Sequence, residues 1–120
     1  MTPASRPLVL VVEDEALLLF SISDDLREQG FDVLEAGNAD QAVRILMTNP
    51  DIRVVFTDID MPGSMDGLRL AAIVRDRWPP IQVIVTSGKH VPLALPEKVS
   101  FLAKPYAIAE VVRRMEQYCD

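Results

Sequence analysis

A chain of 120 residues is long enough to bury an ordinary core in one domain without disulfide or metal staples. Hydrophobic residues make up 49% and charged residues 25%, the balance of a folded globular protein rather than a disordered one. The net charge of −6 argues against a nucleic-acid-binding surface, and Cys119, the sole cysteine, leaves no disulfide framework.

The first seven residues read as a flexible polar tail ahead of a single domain spanning 1–120, with no output domain. They lack the basic, apolar and small-residue regions of a signal peptide, and the longest apolar runs are too short to span a bilayer. A cytoplasmic location without membrane contact is expected. Leu8 to Val12 is continuously apolar, as a strand buried on both faces should be. Glu13-Asp14-Glu15 then opens a helix reaching Gln29, with the acidic residues in its first turn, Leu19, Ile22 and Leu26 on one face, and Gly30 as the stop. Phe31 to Ala36 is a second strand, and Asn38 with Gln41 resembles a capping box for a helix ended by Asn49-Pro50. Val54 to Phe56 is the third strand. A loop rich in Pro and Gly follows, then a helix from about Asp66 to Trp78 stopped by Pro79-Pro80, and a fourth strand from Ile81 to Val85. Residues 87–100 contain Gly88, Pro92 and Pro96 and leave room for a turn or two of helix at most. Phe101 to Ala103 forms a short fifth strand, and Ala107 to Tyr118 the last helix.

Strands alternating with helices at this spacing predict a parallel sheet covered on both faces, the α/β doubly wound class, with ligands at the carboxyl ends of the strands. Four motifs fall at those ends: Val12-Glu13-Asp14, Thr57-Asp58, Val85-Thr86-Ser87 and Ala103-Lys104-Pro105. Carboxylates gathered there repel one another unless a divalent cation with oxygen ligands neutralises them, which points to Mg²⁺ and phosphoryl chemistry. Asp58 is the candidate nucleophile, since a carboxylate can attack phosphorus to form an acyl phosphate. Glu13 and Asp14 are the candidate metal ligands, one direct and one through water. Thr86 offers a hydroxyl and Lys104 a compact cation for the phosphoryl oxygens. Each of these residues has an ordinary structural use, as turn, cap or strand end; the combination is what is specific. Pro105 is a candidate cis proline that would aim Lys104 into the site, although trans is the default for an X-Pro bond. His90, the only histidine, is read as a solvated loop side chain, and Trp78 as packing over a helix end.

Taken together, Val11-Val12-Glu13-Asp14-Glu15, Thr57-Asp58-Ile59-Asp60-Met61-Pro62, Met65-Asp66-Gly67, Val85-Thr86-Ser87-Gly88 and Leu102-Ala103-Lys104-Pro105-Tyr106 resemble the receiver domain of two-component response regulators. The resemblance covers essentially the whole chain. It implies a (βα)₅ fold of flavodoxin-like type, with five parallel strands, in which Asp58 takes a phosphoryl group from a histidine kinase or a histidine phosphotransfer protein. It further implies that Asp14, Asp58 and the backbone carbonyl of Asp60 hold Mg²⁺, with Glu13 reaching the ion through water. Thr86 and Phe101 would form the paired switch that alters a partner-binding surface; Tyr106 lies beyond the Lys-Pro pair and is not the switch position. The protein would be no enzyme beyond its own phosphorylation and dephosphorylation.

Two departures from the family pattern stand out. Met61 to Gly67 carries one residue more than the commonest loop. Only 17 residues separate Thr86 from Lys104, so the family's fourth helix is expected to be short or missing. Both features resemble receivers found as single domains or at the ends of hybrid histidine kinases. Two other functions compete. Asp58-Ile59-Asp60 also matches the nucleophile and acid pair of haloacid dehalogenase-type phosphatases, though the chain has no room for a substrate-closing cap. A phosphorylation-independent binding module on the same fold is the other.

Overall fold

A computed structural model describes residues 6–89 and 91–119. Five strands, β1 (Leu8–Val12), β2 (Asp32–Ala36), β3 (Ile52–Asp58), β4 (Gln82–Ser87) and β5 (Val99–Ala103), form one parallel sheet in the order β2-β1-β3-β4-β5. Four helices connect or follow them: α1 (Ala16–Glu28), α2 (Ala39–Thr48), α3 (Gly67–Arg77) and α4 (Ile108–Cys119).

Alternation along the strands explains why their sequences are apolar throughout. Leu10 and Val12 of β1, Val55 of β3, and Val83 and Val85 of β4 bury against Ala42 and Leu46 of α2 and Leu70 and Val74 of α3. Their neighbours Val9, Val11, Val54, Phe56 and Ile84 bury on the other face, against Ile22 and Leu26 of α1 and Val111 and Met115 of α4. A strand with a helix layer on each face has no polar side to show.

The helix ends follow local chemistry. Asn38 caps α2 by accepting the Gln41 N–H at 2.8 Å. The Gln41 side chain reaches back to the Gly37 N–H at 2.7 Å, one residue earlier than a standard capping box. Gly30, just past α1, has φ 103°, the left-handed conformation that ends a helix. Trp78 closes α3 through its N–H to the Val74 carbonyl and packs on the core, with the Arg77 guanidinium 4.8 Å from its ring.

Two expectations need adjustment. The triplet Glu13–Glu15 does not occupy the first turn of α1, which begins at Ala16 with no acidic residue there. The Glu13 N–H bonds the Ala36 carbonyl, extending the β1–β2 pairing by one residue and delaying the helix. β3 runs to Asp58 itself, so Thr57 and Asp58 are strand residues paired with Val85 and Thr86. The Lys104–Pro105 bond is cis, the conformation for which Pro105 is the candidate.

No helix lies between β4 and β5 among the described residues, as the prolines imply. Leu95 from this connection and Phe101 of β5 are half-buried and pack against the core cluster that contains Val83, Val85 and Val99. His90 and the first five residues of the expected tail lie outside the described residues.

Candidate phosphorylation site

Sheet order decides which side chains meet. β3 is central, with β1 on one side and β4 on the other, and β5 lies beyond β4. Asp58 at the end of β3 is therefore flanked by the loop after β1, carrying Glu13 and Asp14, and by Thr86 of β4, its direct partner in register. Lys104 follows β5, and its N–H bonds the Ser87 carbonyl at 3.0 Å, carrying the β5–β4 pairing to the same edge.

Glu13, Asp14 and Asp58 each present a carboxylate oxygen, all within 4.8 Å of one another. The Lys104 ammonium bridges two of them, 2.9 Å from Asp58 Oδ2 and 3.4 Å from Glu13 Oε1. Asp58 Oδ1 accepts the Asp60 N–H at 3.1 Å, and Glu13 Oε2 accepts the Glu15 N–H at 3.0 Å. Glu13 and Asp58 are both buried, whereas Asp14 is exposed.

Burial pushes the Glu13 carboxyl up; the Asp58 charge adds to this, and the Glu15 N–H and the Lys104 charge offset it only in part. Burial acts to lower Lys104, but its hydrogen bond to Asp58 and the charges of Glu13 and Asp58 outweigh that and leave it raised. The site therefore holds more negative charge than one lysine comfortably neutralises. A hard oxygen-donor set of this kind suits Mg²⁺ and offers nothing to a soft metal.

Thr86 is 3% exposed and its hydroxyl has no hydrogen-bond partner. Phe101 is a half-buried strand residue whose carbonyl accepts from Arg114 Nη1 at 2.7 Å. The Asp60 carboxylate is not part of the three-carboxylate cluster; Ser87 Oγ donates to its Oδ2 at 2.7 Å. Ser87 lies within the Val85-Thr86-Ser87-Gly88 motif, but its sequence position reveals no role, because a serine at a strand end carries no signal of its own. Tyr106 stacks edge-on against Phe56, with ring centres 5.5 Å apart, and walls a cavity of about 550 Å³ beside Lys104 that Leu18 and Asp25 of α1 also line.

Gly67 makes the loop geometry possible. A Cβ at this position would meet the Asp58 carbonyl oxygen and press on the Ile59 backbone, and the Gly67 N–H bonds the Ile59 carbonyl at 3.0 Å. The start of α3 is thus seated directly on the backbone of the candidate nucleophile.

Residues 9–116 match the family model for the response regulator receiver domain. The receiver domain of the hybrid histidine kinase CckA superposes with a TM-score of 0.82 at 31% identity, covering 94% of this chain and 99% of that one. A receiver domain protein from Clostridium thermocellum gives a TM-score of 0.87 at 27% identity, covering 93% of each chain. Among curated relatives, the transcriptional regulatory protein PdtaR of Mycobacterium tuberculosis is 32% identical over 115 residues, 90% of this chain and 54% of its own length. Putative NtrX-like response regulators of Rickettsia are 38% identical over 81 residues, 67% of this chain and 17% of theirs. The chain thus spans about half, or less, of the length of these curated relatives. This chain belongs to the response regulator receiver domain family: it is a receiver domain of two-component systems, a signalling module with the flavodoxin-like fold. No helix among the described residues is long and apolar enough to cross a membrane.

Proposed function

We propose that Asp58 is the phosphoacceptor of a two-component phosphorelay, charged by a histidine kinase or a histidine phosphotransfer protein. The observation that carries this reading is the convergence of Glu13, Asp14, Asp58 and Lys104 on one sheet edge, with Lys104 2.9 Å from Asp58. An Asp58 oxygen attacks phosphorus, a P–O bond forms, and the P–N bond of the donor phosphohistidine breaks with its electron pair returning to the imidazole.

Mg²⁺ would be held by Asp14, Asp58 and the Asp60 carbonyl, with Glu13 through water; when bound it supplies charge for the phosphoryl oxygens. Lys104 binds one of those oxygens and orients the group. The unpaired Thr86 hydroxyl, in register with Asp58, gains its missing partner from another, which gives the phosphorylated state an interaction the unmodified one lacks. Phe101 reports that movement through packing, since it has no hydroxyl to hydrogen-bond. The protein donor approaches over the cavity beside Lys104 and the exposed Leu17, Leu18 and Phe20 of α1, which form an apolar landing surface next to the site. This reading entails a cytoplasmic location, and with a net charge of −6 it gives the chain no direct role on nucleic acid.

The phosphatase reading needs the Asp60 carboxylate poised over the phosphoryl group as an acid, but that carboxylate is engaged by Ser87. Incubation with a small phosphodonor and Mg²⁺ tests the assignment. Labelling should occur in the parent protein and vanish in Asp58→Asn; undiminished labelling of the variant would refute it. Equal affinity of the unmodified and phosphorylated forms for a downstream partner would favour the phosphorylation-independent module instead.

A further inference from the structure

We infer that Ser87 is a positioning residue for the metal site, acting through Asp60. Three observations carry the inference. Ser87 is 2% exposed and its hydroxyl is engaged on both sides: it donates to Asp60 Oδ2 at 2.7 Å and accepts the Lys89 N–H at 3.1 Å. Asp60 is held a second time by its own N–H, which donates to Asp58 Oδ1 at 3.1 Å. Finally, the Asp60 carboxylate, bonded to Ser87, is not part of the cluster in which Glu13, Asp14 and Asp58 oxygens lie within 4.8 Å of one another.

With the side chain and the N–H of Asp60 both held, the residue is anchored on two sides of its Cα, which narrows the rotation left to its peptide carbonyl. The carbonyl, not the carboxylate, is then the group Asp60 offers to a cation. Mg²⁺ demands near-ideal octahedral placement of its few protein ligands, so a loose carbonyl costs affinity. The hydroxyl of Ser87 contributes no ligand; it decides which oxygen of Asp60 is presented and how firmly. This rests on the reading of the Asp60 carbonyl as a Mg²⁺ ligand.

The test is a titration of the whole chain with MgCl₂, followed by amide chemical shifts in ¹⁵N-labelled protein, with thermal melting of each variant in metal-free buffer as the control for folding. Ser87→Ala should bind Mg²⁺ about threefold to tenfold more weakly than the parent, the size expected for one lost hydrogen bond. Asp60→Ala should lose a similar factor, and the double variant should lose no more than either single change, because both remove the same bond. Asp60→Asn keeps an oxygen acceptor for Ser87 and should stay within about twofold of the parent. Parent-like binding by Ser87→Ala, losses that add in the double variant, or an Asp60→Asn as weak as Asp60→Ala would each overturn the inference while leaving the metal site standing. A parent protein that does not bind Mg²⁺ would overturn both.

Discussion

Lys104 is shared by two buried carboxylates, and much of the local energetics follows from that. Lys104→Met keeps the stem but leaves Asp58 and Glu13 without their bridging cation. Because the ammonium is partly open to water, with 24% of the side chain exposed, the expected loss in metal-free urea unfolding is about 1–3 kcal/mol, below the figure for a fully buried pair. Added Mg²⁺ should narrow the gap to the parent. Ser23 of α1 presents the opposite case: its hydroxyl is fully buried with no hydrogen-bond partner, so Ser23→Ala should raise stability by about 1 kcal/mol in the same measurement. Tyr106 is raised chiefly by burial, so its folded pKa lies above the unfolded value near 10. Its contribution to stability is complete below that value and is lost as pH rises through the folded pKa. Thermal melts should therefore fall above about pH 10, and Tyr106→Phe should flatten part of that decline, the remainder belonging to Lys104, which is raised and acts with the same sign. A Tyr106→Phe profile parallel to the parent's would show that the tyrosine is not the titrating group.

The junction between β3 and α3 tolerates the least change. Gly67→Ala would drive a methyl group into the Asp58 backbone, which cannot yield as a flexible side chain could. We expect a loss of about 3 kcal/mol or more in unfolding free energy together with loss of phosphorylation. Strands and helices were legible in the chain because continuous apolar runs and helical periodicity each have one good solution, and Asn38 with Gln41 marked the start of α2 through real hydrogen bonds. Acidic residues 13–15 misled because a helix N-terminus and a strand-end loop both favour them; only the Glu13–Ala36 pairing decides, and it joins residues distant in sequence. The missing helix before β5 was legible through its prolines, yet the packing of Leu95 and Phe101 against the core was not. Likewise Asp58, Lys104 and Thr86 stood out as motif residues, whereas the Ser87–Asp60 bond spans 27 positions and depends on which loops the sheet order brings together.

The molecule as a whole concentrates negative charge at one sheet edge and apolar surface beside it. Cation binding to that edge must stabilise the folded state by linkage, about 1.4 kcal/mol at ten times the dissociation constant, so the melting temperature should climb with MgCl₂ and should not in Asp58→Asn carrying Asp14→Asn. The exposed face of α1 makes a separable prediction. Phe20→Ser, 67% exposed in the parent, should leave labelling by a small phosphodonor unchanged while slowing transfer from a phosphorylated protein donor by about tenfold. Equal slowing with both donors would place the defect at the site rather than at the docking surface.

Whether Asp58 receives the phosphoryl group is decided by locating that group on the chain. Borohydride reduction after reaction with a small phosphodonor cleaves an acyl phosphate and leaves homoserine, which peptide mass spectrometry assigns to a position. Homoserine is expected at position 58 alone, formed only with Mg²⁺ present. Conversion at Asp14 or Asp60, or at position 58 without any divalent cation, would contradict the Mg²⁺-dependent assignment to Asp58.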